Sequence, residues 1–237
     1  MVLNGRTHEL PKDDYEISEP PTKKVYRECK GRVLDSVAHA AVTAPRGVPT
    51  LRRFELLDLA LVTALTLAVE WAVGGLTGFP KGLDAYGHLT KIKFITSFWP
   101  KHGWNHLWDA GTPLFSGSYP PLSYYMAALI VAVFRCGPES ALTALTAVSL
   151  LLNSLGVYGF VKNVTGDRLP SLLAVSLMVF TPAYWEWWVY GGNYGRVISL
   201  GFFGLSLYLA SLFINKPQSK LLKFLIPLTL AGAVCCH

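Results

Sequence analysis

Charge is scarce in this chain of 237 residues. Asp, Glu, Lys and Arg make up 15% of it, where soluble domains carry about 25%. Hydrophobic residues reach 51% and mean hydropathy is +0.36, which excludes an ordinary soluble domain. The net charge is only +6, and no basic stripe is interleaved with base-stacking aromatics. Nucleic acid is therefore not an expected partner. Cysteine is equally sparse: Cys29, Cys136, Cys235 and Cys236 offer neither zinc spacing nor a disulfide framework, so they read as ordinary thiols. A cleavable leader is not expected either, because about fifty polar residues precede the first apolar run.

What is present is a series of apolar runs. The bilayer core needs roughly 20 helical residues, and "LLDLALVTALTLAVEWAVGGL" (56–76) supplies them. Further runs cover 141–161, 171–190, 197–213 and 221–237. The expected fold is all-α: a polytopic transmembrane bundle with a long extracytoplasmic first loop, 77–140, carrying interfacial helices. Residues 1–50 read as a cytoplasmic polar tail, in which 32–42 could form a short amphipathic helix. Residues 51–237 form the membrane module. Its last run stops at His237 without a closing cap, which reads as a fragment or an unusually short relative of something larger.

The run 121–134 is short for a crossing and opens at Pro120 and Pro121. If it crosses, the lysine-bearing loop 214–223 lies outside, against the charge rule. If it is interfacial or re-entrant, Arg46, Arg52, Arg53, Lys162, Arg168, Lys216, Lys220 and Lys223 all face the cytoplasm. The second topology is preferred. It makes the protein an integral membrane protein of the cell membrane with a cytoplasmic N-terminus, and leaves the sequon at Asn163 unused. The lysines 81, 91, 93 and 101 of the outer loop weigh mildly against it.

A loop as long as 77–140 is functional or folded. Within it, "DAYGHLTKIKFITSFW" has apolar residues near helical spacing, giving a short helix along the membrane surface. Asp84 falls at its start, where an N-cap is the bland reading. Asp84 and His88, at i and i+4, share a helical face. A carboxylate and an imidazole so placed could hold a divalent metal or act as base and orienting partner. A surface hydrogen bond is the commoner outcome, and Lys91 and Lys93 are commoner as snorkelling residues than as phosphate ligands.

The order "LDAYGHLTKIKFI", "WNHLWDAGTPLFSG", "SYPPLSYY" resembles the first outer loop of GT-C membrane glycosyltransferases, above all the catalytic subunit of oligosaccharyltransferase. The stretch from "LLLNSLGVYGFV" to "GGNYGRVISL" is similar to that family's second and third spans and second outer loop. The chain also looks like prokaryotic multi-span proteins labelled 6-pyruvoyl-tetrahydropterin synthase-related, a label that does not imply pterin chemistry. The resemblance runs from about Leu56 to His237. It implies transfer of a sugar from a polyisoprenyl phosphate or diphosphate donor at the outer membrane face. Asp84 matches the catalytic acid of the first loop, which activates the acceptor or helps hold Mg or Mn. His88 is its neighbour and candidate co-ligand. Asp109 matches a more variable acidic position, and Trp104 and Tyr119 fall in the Trp-Asn and Tyr-Pro stretches as substrate-binding positions. The departure is "GGNYGR" (191–196), where a paired acidic motif is expected; Glu186 comes too early for it.

Arg196 could clamp a lipid-linked phosphate by paired hydrogen bonds, as could Lys91 by charge; interfacial anchoring explains Arg196 equally well. Gly191, Gly192 and Gly195 permit a tight turn but form no nucleotide fingerprint. Trp185, Trp187, Trp188 and Tyr190 read as an aromatic belt before sugar-stacking residues. Glu70, inside the first span, is expected to face protein or the outer headgroups. The alternative to an enzyme is a non-catalytic membrane scaffold for a larger protein partner. A transporter or flippase ranks last, since polar residues in the spans are too sparse for an ion path.

Overall fold

The computed structural model describes residues 53–76, 79–99, 104–105, 112–113 and 121–236. These form helices α1 (Arg53–Ala72), α2 (Ala85–Phe98), α3 (Leu122–Phe134), α4 (Pro138–Thr165), α5 (Arg168–Phe180), α6 (Pro182–Val189), α7 (Tyr194–Asn215) and α8 (Lys220–Cys236). Between α2 and α3 lies a two-residue antiparallel ladder, β1 (Trp104–Asn105) on β2 (Thr112–Pro113), pairing Trp104 with Pro113. The polar tail, including the stretch 32–42, lies outside the described residues.

The expected all-helical character is observed, and the helices of α4 and α7 are each long and apolar enough to cross a membrane. The bent pair α5 and α6 makes a third if taken as one span. This is the build of a membrane protein. Local chemistry sets the boundaries. Helix α4 starts with Pro138 and Glu139 in its first turn and ends on Gly166 in the left-handed region, at φ 76°. The apolar run 171–190 breaks rather than continuing: the chain bends by 40° between α5 and α6. The break falls at Thr181, ahead of Pro182, whose ring disfavours helical backbone in the preceding residue. Helix α1 carries three acids, Glu55, Asp58 and Glu70. Helix α8 has 17 residues.

Side-chain contacts fix the direction of each helix. Tyr158 Oη donates to Asp58 Oδ2 at 2.8 Å, and Lys162 Nζ to Glu55 Oε1 at 3.4 Å, so α1 and α4 are antiparallel. Gly201 abuts Ser149, Gly204 abuts Asn153, and Asn163 Nδ2 donates to Ser211 Oγ at 2.9 Å, so α4 and α7 run parallel. Thr229 and Ser206 share a hydrogen bond of 2.8 Å where α8 returns along α7. An antiparallel α1/α4 pair requires an even number of crossings between them. Helices α2 and α3, with 14 and 13 residues, are both too short to cross singly. Lys162, Arg168, Lys216 and Lys220 therefore collect at one end of the bundle, with α2, α6 and the α6–α7 turn at the other.

The α4/α7 seam is close because its residues are small. A Cβ on Gly204 would meet Asn153 Oδ1 at 2.5 Å and Asn153 Cα at 2.6 Å, and one on Gly156 would meet the Gly204 carbonyl carbon at 2.3 Å. Small residues let backbones approach where lipid removes the hydrophobic drive for helix association. Gly204→Val must push the helices apart, and overpacking of this kind costs about 1–3 kcal/mol. Thermal unfolding in detergent should record a lower midpoint; an unchanged midpoint would refute the close seam.

Candidate functional site

Two turns meet at the end of the bundle opposite the lysines. The Leu83 N–H donates to the Tyr190 carbonyl at 3.2 Å, and the Asp84 N–H to the Gly191 carbonyl at 3.3 Å. Only glycine fits this stitch. Gly82 sits at φ 94°, and a Cβ there would lie 2.2 Å from the Gly192 nitrogen; Gly192 itself sits at φ 70°. The Tyr194 hydroxyl closes the junction by donating to the Lys81 carbonyl at 2.9 Å. The tight turn expected of these glycines is present, and Gly192 closes on the segment that bears Asp84, where a Cβ would meet the Asp84 nitrogen at 2.9 Å.

Asp84 occupies the N-cap position of α2 but makes no side-chain cap hydrogen bond. It is half-buried. Four residues on, His88 is 2% exposed. Its ring lies between Tyr124 of α3, at 5.6 Å, and Tyr194 of α7, at 5.5 Å. Burial, and then the Lys91 charge, hold its pKa down at about 4 from an ordinary 6.5, against the opposing pull of Asp84 and the Gly192 backbone. His88 is thus a neutral imidazole packed where α2, α3 and α7 join. Lys91 lies over the Tyr124 ring at 5.2 Å, a cation–π placement.

The sign of the His88 effect is definite. The folded chain holds this imidazole neutral below 6.5, whereas the unfolded chain would protonate it there, so the unfolded state binds more protons and stability falls as pH drops. The His88 contribution is whole above 6.5 and is lost progressively towards about 4. Unfolding midpoints followed over that window should fall more steeply for the native chain than for His88→Phe. Parallel curves would refute this.

Arg196 lies in the first turn of α7, its N–H donating to the Asn193 side chain at 3.1 Å. Its guanidinium stacks over the Trp187 ring at 4.8 Å. The two border a groove of about 310 Å³ whose other walls include Met178, Thr181, Tyr184 and Leu200. The groove opens at the break between α5 and α6. Tyr184 accepts a hydrogen bond from Asn153 Nδ2 at 3.0 Å. This wall escaped the sequence reading, although Asn153 in the middle of an apolar span was a usable signal. Trp185 and Trp188 are buried while Trp187 and Tyr190 are exposed, so the aromatic cluster divides between core and surface.

Asp109 and Tyr119 lie outside the described residues, as does the side chain of Trp104. Among the described residues no three His, Cys, Asp or Glu side chains gather to hold a metal. Asp84 and an enclosed His88 are two donors among the described residues, fewer than the oxygen-rich shell that Mg or Mn takes. Set against protein-family models, curated proteins and solved structures, the chain matches none of them.

Proposed function

We propose that this protein is a membrane transferase of the GT-C type, moving a sugar from a polyisoprenyl phosphate or diphosphate to an acceptor at the outer membrane face. The supporting observation is the stitching of turn 82–84 to turn 190–192, which brings the Asp84 segment and the Arg196 groove to one end of the bundle. The division of labour follows from chemistry. The donor's lipid stays in the bilayer, with the groove at the α5–α6 break as its way in. Arg196, beside a helix N-terminus, suits the departing phosphate. Asp84 takes the acceptor's proton as the new glycosidic bond forms. His88, enclosed and neutral, positions α2 instead of exchanging protons. No step is routed through a metal, because the described donors do not fit one.

Orientation follows from charge. Lys162, Arg168, Lys216 and Lys220 at the far end belong to the cytoplasm by the positive-inside rule, which sets the N-terminus there in the cell membrane and Asp84 outside. Purified full-length chain in vesicles, supplied with polyprenyl phosphate and polyprenyl diphosphate sugars, tests the reading. Transfer to a water-soluble acceptor is the expected result. Absence of turnover, with co-purification of a larger membrane enzyme, would replace the transferase by a scaffold.

A further inference from the structure

The inner face of α1 repeats every four residues: Asp58, Val62, Thr66 and Glu70 are all buried. It thereby carries two buried acids, about 18 Å apart at 1.5 Å per residue, and they are treated differently. Asp58 is bonded by Arg168 Nε and by the Tyr158 hydroxyl. Glu70 is 0% exposed, and among the described residues neither of its carboxylate oxygens has a hydrogen-bond partner. A structural acid ends up like Asp58. An acid left without a partner in a membrane helix marks a place where something else binds.

We propose that Glu70 is the acidic group of a buried site for one monovalent cation, a proton or a sodium ion. The surroundings select the ligand. Antiparallel register from the Asp58–Tyr158 contact brings Glu70 level with Thr146 of α4, and parallel register from Asp58–Arg168 brings it level with Phe180 of α5, next to the buried Val179. None of these carries charge. Tyr184 of α6 is a titratable group in its surroundings. No lysine, arginine or histidine pairs with Glu70 among the described residues. Thr66, four residues back, shares its face and donates its hydroxyl to the Val62 carbonyl at 2.8 Å, leaving that oxygen's lone pairs available. A lone carboxylate balances a single positive charge and disfavours a divalent ion. The inference rests on Glu70 and its neighbours alone, independent of the transferase reading.

Infrared difference spectra of the full chain in lipid, native minus Glu70→Gln, test it. A carboxylic-acid carbonyl band that disappears on raising pH, its population falling about tenfold per pH unit above the midpoint, identifies the proton. Carboxylate bands that shift when sodium replaces choline identify sodium, and Thr66→Val should then raise the half-effect concentration several-fold. A Glu70 band that neither pH nor sodium moves would overturn the proposal. Gel filtration of Glu70→Gln checks that the variant is folded, and sodium-dependent unfolding midpoints of the native chain give a readout that needs no variant.

Discussion

Asp84→Asn should lower sugar transfer by about 10²- to 10⁴-fold, the contribution of a positioned general base, while leaving the unfolding midpoint nearly unchanged. Asparagine keeps the size and the N-cap preference of aspartate. It cannot accept the acceptor's proton, so the loss belongs in kcat. Arg196→Gln should behave differently. It removes the charge stacked over Trp187 and should raise KM for the lipid donor more than it lowers kcat, provided the guanidinium binds the donor before and during transfer alike. Measuring both constants for both variants separates base from clamp. Full transfer by Asp84→Asn would remove that carboxylate from the mechanism, whatever happens at Arg196.

The contrast between Asp84 and His88 marks where the sequence stopped being informative. Spacing of four put both on one face of α2, and α2 itself was legible from its apolar periodicity. Which way that face turned was not legible, because it depends on Tyr124 and Tyr194, residues from two other helices. The long apolar runs located most of the helices, since a bilayer-length run needs no tertiary information. The α5–α6 bend was written locally in Pro182 yet hidden by the unbroken hydropathy around it. Pairings such as Tyr194 with Lys81, or Asn153 with Tyr184, join residues far apart in the chain and leave no periodic trace. Glu70 was recognisable as costly from its position in an apolar run; that it lacks a partner among the described residues while Asp58 has two required the packing of α1 against α4 and α5.

At the opposite end of the same helix, Arg168→Met should cost about 1–3 kcal/mol of stability, because losing the half-exposed guanidinium leaves the buried Asp58 carboxylate without its counter-charge. The asymmetry of burial makes this sharper. Asp58 is 1% exposed in its side chain, whereas that of Arg168 is 49% exposed. Stripped of the guanidinium, Asp58 keeps only the Tyr158 hydroxyl, at 2.8 Å. Stripped of the carboxylate, Arg168 can turn to water. Asp58→Asn should therefore be the milder change, and Asp58→Asn with Arg168→Met should recover part of the loss seen for Arg168→Met alone, since the stranded charge is gone. Denaturation in detergent across the four proteins of this cycle reads the coupling directly. Equal losses for the two single variants, simply additive in the double, would mean that the pair is an exposed surface bridge worth about 0–1 kcal/mol and that α1 is held to α5 by apolar packing alone.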